Sequence, residues 1–111
     1  MPMKKYSAML QKLIPGLVSI FNESINSIIL YGSVARGTET SESDVDIAVI
    51  VGDFSEKMHD DMIDFIVDLE LEYNMVLSVF LIEDDKFRKW ADVMPFYRNV
   101  KEEGIQLWPA A

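Results

Sequence analysis

Apolar residues at Tyr6, Met9, Leu10, Leu13, Leu17, Val18 and Phe21 recur at the spacing of one helix face. They predict a helix from Lys4 that Pro15-Gly16 breaks or kinks near Ile14. Ser27 to Tyr31 is a short run of strand-forming residues, and Val45 to Val51 is apolar on both faces, as a central strand requires. Ser55 is placed to cap a helix reaching about Tyr73, with Met58, Met62, Phe65, Ile66, Leu69 and Tyr73 on its buried side. Met75 to Ile82 reads as a third strand. The crossover between the second and third strands is about 24 residues and carries a helix, which predicts a parallel βαβ pair. Asp84 or Asp85 opens a short helix through Trp90, Pro95 opens another that Gly104 caps, and Leu107 and Trp108 are expected to close the core.

Composition adds limits. The chain has 111 residues, half of them apolar, and no cysteine, which excludes zinc ribbons, thiol catalysis and a disulfide framework. That length predicts one domain over residues 1–111, able to bury a core without metal or disulfide. No apolar run approaches the roughly 18 residues of a membrane span, and the start, Met1-Pro2-Met3-Lys4-Lys5, lacks a signal peptide's apolar region. A soluble, cytoplasmic protein without membrane contact is the expectation.

The net charge of −9 is uneven along the chain. Residues 41–85 hold fourteen acidic groups against one basic, whereas both flanking segments carry a small basic excess. Such a centre repels phosphate backbones, which argues against passive nucleic-acid binding and suits divalent cations or a basic protein partner. Glu56, Asp60, Asp64, Asp68 and Glu72 recur every four residues on the long predicted helix. The stripe is either a solvated face or a partner surface.

Candidate chemistry lies between Tyr31 and Asp46. Tyr31-Gly32-Ser33-Val34-Ala35-Arg36-Gly37 ends a strand and turns at once into a short helix, which can point unpaired backbone N–H groups and the Ser33 hydroxyl at an anion such as phosphate. After the polar stretch Thr38 to Ser43, Asp44 and Asp46 stand two apart at a strand start, so both side chains leave one face of the sheet. Two carboxylates that close repel unless a cation lies between them. Hard oxygen ligands beside a phosphate cradle describe a magnesium site that shares phosphate oxygens.

Gly32-Ser33, ten residues, then Asp44-Val45-Asp46 resembles the signature of the DNA polymerase beta-type nucleotidyltransferase superfamily. The Gly-Ser-Val-Ala-Arg-Gly form and the ending from Tyr97 to Trp108 resemble its minimal nucleotidyltransferases. The resemblance implies an α/β (α+β) fold, a small mixed sheet with helices packed on one side. It further implies a Mg²⁺-nucleoside triphosphate site, with ATP the expected nucleotide. Gly32 and Ser33 would hold the β and γ phosphates, Arg36 would screen charge near the triphosphate, and Asp44 and Asp46 would be the catalytic metal ligands. The reaction would be attack of a hydroxyl on the α-phosphorus with loss of pyrophosphate. Such proteins commonly pair with a helical HEPN protein, an RNA-cleaving toxin, and act as its antitoxin by transferring AMP to a tyrosine.

The sequence departs from the family at one place. A third carboxylate usually stands on the next strand, and here Ser78 occupies the expected position. Transfer to a hydroxyl of a partner protein is therefore weighed against a degenerate nucleotide-binding or antitoxin module that neutralises its partner by binding alone. A chain of this length is expected to grip an acceptor through an exposed surface or a second chain.

Overall fold

The computed structural model describes residues 4–40 and 44–109, so part of the polar stretch Thr38 to Ser43 and the first three residues lie outside the described chain. Among the described residues five α-helices and four strands follow in the order α1 (Ser7–Phe21), β1 (Ile25–Tyr31), α2 (Gly32–Arg36), β2 (Val45–Val51), α3 (Glu56–Tyr73), β3 (Leu77–Glu83), α4 (Asp84–Trp90), α5 (Pro95–Glu103) and β4 (Ile105–Trp108). The strands form one mixed sheet in the order β3-β2-β1-β4. β1 is antiparallel to both neighbours, while β2 and β3 run parallel across the α3 crossover, as its length predicts.

The strand pleat sorts the core into two layers. Ile28 and Leu30 of β1 with Val45, Ile47, Val49 and Val51 of β2 face α1 and α3, where Met9, Leu13, Leu17, Phe21, Met62, Ile66 and Leu69 close over them. Alternate residues Ile29, Ala48, Ile50 and Ile82 face the other way and meet Val100 of α5, with Phe87 and Tyr97 packed around them. The expectation of helices on one side thus holds for the two long helices. The short α4 and α5 cover part of the opposite face.

Helix α1 runs unbroken through Pro15, so of the break or kink expected near Ile14 the break does not occur. Pro15 and Gln11, whose carbonyl loses its N–H partner, are both exposed, so water can take the vacant acceptor. Gly16 matters for its size: a Cβ there would overlap the Phe65 ring of α3, so its lack of a side chain lets the two helices approach. The Ser55 cap is present, its Oγ accepting from the Met58 N–H at 3.1 Å. Gly104 ends α5 in extended rather than left-handed backbone, at φ −71°. It is small because a Cβ would strike Ile29 and the Val100 carbonyl. Pattern reading predicted no fourth strand after it, yet Ile105 to Trp108 pairs with β1, and Leu107 and Trp108 pack on the larger core layer as expected.

Candidate functional site

The residues singled out between Tyr31 and Asp46 converge where β1 ends and β2 and β3 begin. Tyr31 pairs with Asp46 across the antiparallel ladder, and Asp46 pairs with Ser78 across the parallel one. Side chains of Tyr31, Asp46 and Ser78 therefore leave the face that carries α4 and α5. Asp46 is the position in β2 that the fold leaves partly open, amid six buried neighbours.

The turn after β1 is built on glycine. Gly32 has φ +76°, a conformation costly for other residues, and a Cβ on it would collide with the Asp46 carboxylate. The start of α2 is thereby laid directly against the carboxylate. Val34, wholly buried in the larger core layer, anchors the short helix from behind, and Gly37 closes it in left-handed backbone at φ +75°. Ser33 follows Gly32 in the first turn, partly exposed, and its carbonyl accepts from the Thr38 N–H at 2.9 Å.

Asp44 stands exposed just before β2, and the Ser78 hydroxyl donates to its Oδ2 at 3.2 Å. Ser78 thus shares the face of both aspartates, as its position in the sequence predicts for the residue replacing a third carboxylate. Among the described residues no group of three or more acidic or histidine side chains is arranged to hold a metal. The Asp46 carboxyl titrates above the usual carboxylate range because burial disfavours its charge and Asp44 repels it, with Arg36 pulling modestly the other way. A half-buried carboxylate that its neighbour Asp44 discourages from ionising, with a hydroxyl and an open turn beside the two, fits a divalent cation completed by ligand oxygens.

Arg36 lies at the end of α2, half exposed, and forms an ion pair at 3.3 Å with Glu103 of α5. It is within electrostatic reach of Asp46, as a charge-screening role requires, but it also ties α2 to α5. Glu83 is the last residue of β3, at its far end, Asp84 and Asp85 follow it, and the three take part in ion pairs with Lys86 and Arg88.

An aromatic wall beside the carboxylates escaped the sequence reading. The rings of Tyr31, Phe80 and Phe96 pack in mutual edge or tilted contact, with centroids 5.3–6.4 Å apart. Phe80 and Phe96 remain 47% and 37% exposed, enough to receive a further planar group. The Tyr31 hydroxyl is buried without a hydrogen-bond partner among the described residues, and burial, then Asp46, push its pKa well above the usual phenol range. Phe80 was accessible to reasoning, being two residues beyond Ser78 on one strand face; Phe96 reaches the site only through the packing of α5. A shallow cleft of about 390 Å³ lined by Gly52, Asp53, Phe54 and Glu83 lies at the other end of β2 and β3, away from this constellation.

Comparison with known proteins identifies the family and the fold. A family described as polymerase beta, nucleotidyltransferase matches residues 16–108. A Methanocaldococcus jannaschii protein named as a candidate protein adenylyltransferase is 38% identical over 102 residues, covering 89% of this chain and 94% of its own. Among solved structures, a toxin-antitoxin complex with AMP-PNP superposes with a TM-score of 0.58 at 25% identity, over 90% of this chain and 73% of that one. A candidate nucleotidyltransferase from Sulfolobus solfataricus gives a TM-score of 0.57 at 15% identity, over 96% and 86% of the two chains, and shares the fold. No helix among the described residues is long and apolar enough to cross a membrane.

Proposed function

The chain belongs to the polymerase beta nucleotidyltransferase family, and from that premise we propose that residues 1–111 act as one cytoplasmic domain transferring AMP from Mg²⁺-ATP to a hydroxyl on a partner protein, such as a HEPN-type toxin. The observation that carries the reading is the close approach of the Gly32 turn to the Asp46 carboxylate, which supports reading phosphate cradle and metal ligands as one site. The name of the M. jannaschii relative and the AMP-PNP in the toxin-antitoxin structure support the adenylyl group and the protein partner.

In this reading the Gly32 and Ser33 amides and the Ser33 hydroxyl hold the β and γ phosphates, and Arg36 offsets their charge. Asp44 and Asp46 ligate Mg²⁺, whose chemistry is to neutralise charge on the transferring phosphate. Phe80 and Phe96 offer an apolar wall to the nucleoside. The acceptor oxygen bonds to the α-phosphorus as its bond to pyrophosphate breaks, and the hydroxyl proton is released.

A specific observation also favours the second reading, a module that binds nucleotide and neutralises its partner without chemistry. Ser78 brings a hydroxyl to Asp44 where relatives usually present a carboxylate, and general-base assistance is typically worth about 10²- to 10⁴-fold. Calorimetry tests the site that both readings share. Asp44→Asn with Asp46→Asn should weaken Mg²⁺-ATP binding by at least about ten-fold without weakening metal-free binding, from which two repelling charges are removed, and unaltered Mg²⁺-ATP affinity would exclude the site. Incubation with α-labelled ATP and the product of the neighbouring gene separates transferase from binder. Labelled partner means transfer; an unlabelled stable complex means binding alone. Ser78→Asp should raise labelling or metal affinity, because it adds an oxygen ligand on the same face.

A further inference from the structure

Helix α3 is held on three sides. Met62, Ile66 and Leu69 are buried beneath it. Toward α1, Glu72 pairs with Lys12 at 2.6 Å and the Tyr73 hydroxyl donates to the Ala8 carbonyl at 3.4 Å. Toward the sheet, Glu70 Oε2 accepts from the Leu77 N–H at 2.9 Å.

No element among the described residues covers the remaining face, and its pattern is unusual for one that meets only water. Ile63, Val67 and Leu71, one helical turn apart, are 46%, 45% and 78% exposed. Asp60, Asp64 and Asp68 run beside them, each three residues before an apolar neighbour. Among the described residues Asp64 and Asp68 form no ion pair, and Asp60 has only His59, at 3.7 Å. Like charges at four-residue spacing each cost a few tenths of a kcal/mol, and here they flank an exposed apolar strip about 12 Å long.

We propose that this outer face of α3 docks a basic amphipathic helix of a partner protein, whose apolar side covers Ile63, Val67 and Leu71 while its lysines or arginines meet Asp60, Asp64 and Asp68. The proposal rests on the reading that this chain works with a second protein, and it names the surface and the partner's chemistry. Charge selects the occupant: a second copy would bring another chain of net charge −9, and phosphate-bearing nucleic acid or anionic lipid would be repelled. The face lies on the opposite side of the sheet from Asp46, so an occupied α3 leaves the carboxylates open. A partner held there would reach them with a different segment.

The probe is a labelled synthetic peptide of about 18 residues made of Leu and Lys in amphipathic helical order, set against an isomer of identical composition in non-amphipathic order. Fluorescence anisotropy with the full chain should show the amphipathic peptide bound at least about ten-fold more tightly, with affinity falling between about 50 and about 300 mM salt. Val67→Lys with Leu71→Lys, and separately Asp60→Lys, Asp64→Lys and Asp68→Lys together, should abolish the preference, while Mg²⁺-ATP calorimetry on both variants stays at the native value. Amide shifts in the native protein should change along α3, a readout that needs no variant to fold. Equal binding of the two peptides, shifts confined to Trp90 through Tyr97, or self-association of the chain that Val67→Lys with Leu71→Lys disrupts would each overturn the proposal. Intact Mg²⁺-ATP binding in those cases would leave the nucleotide site standing, so the two readings fail separately.

Discussion

One face of the sheet is shut and the other is left ajar. Under α1 and α3, Leu13, Leu17, Phe21, Ile28, Leu30, Ile47 and Val49 have no exposure at all. On the other face the buried set is smaller, and it gives way toward the strand ends to Tyr31, Asp46, Ser78 and Phe80. The two faces share every backbone hydrogen bond of the same strands. The first supplies the free energy that holds β1 and β2 in register; the second spends some of it on a half-buried carboxylate beside another, a positive-φ glycine and a phenol without a hydrogen-bond partner among the described residues. Burdens of that kind concentrate where a ligand is meant to relieve them.

If the division is real, damage to the two faces should be read by different instruments. Leu17→Ala, in the shut layer, should cost about 3 kcal/mol by urea denaturation, from lost burial plus a cavity that the helix pair cannot close. The folded fraction should bind Mg²⁺-ATP as the native chain does, and a matching loss of affinity would show that the faces are not separable. Gly32→Ala should cost less stability, about 2 kcal/mol, through left-handed backbone strain and collision with Asp46. Its main effect should be on Mg²⁺-dependent nucleotide binding, which should vanish in calorimetry even where the domain remains folded.

The smallest effect sharpens the comparison most. Because burial and Asp44 raise the Asp46 pKa, the folded state holds that proton more tightly than the unfolded chain does. Native stability contributed by this group should therefore increase as pH falls from neutral through the raised pKa toward the unfolded value, the reverse of a salt-bridged aspartate. Asp46→Asn should melt slightly above the native protein at pH 7, and the gap should close on acidification. A variant less stable than native at pH 7, or a gap that widens in acid, would mean that the Asp46 charge is stabilised by the fold and that no strain is stored at the site.

Much of this was written in local pattern. The strand Val45 to Val51, the Ser55 cap, the α3 face through Met62, Ile66 and Leu69 and the parallel crossover all follow from periodicities of two and 3.6 and from one side-chain cap, quantities that depend on near neighbours. The Gly-Ser turn and the paired aspartates are likewise local: residues two apart on a strand share a face in any fold.

What the sequence could not decide involves partners far along the chain. Pro15-Gly16 carries a local signal to stop a helix, and the signal lost because the vacant carbonyl faces water while Gly16 is the residue that lets Phe65 approach. Ile105 to Trp108 became a strand only because β1 offered it an edge, and Phe96 joined the site only because α5 folds back over Tyr31 and Phe80. Composition and spacing alone determined the first three strands, the long helix α3 and the identity of the turn and its two aspartates. Tertiary structure decided that Gly32 approaches Asp46, that Ser78 reaches Asp44, and that an apolar strip on α3 is left uncovered by the described residues, since each depends on the distance between segments that local periodicity does not encode.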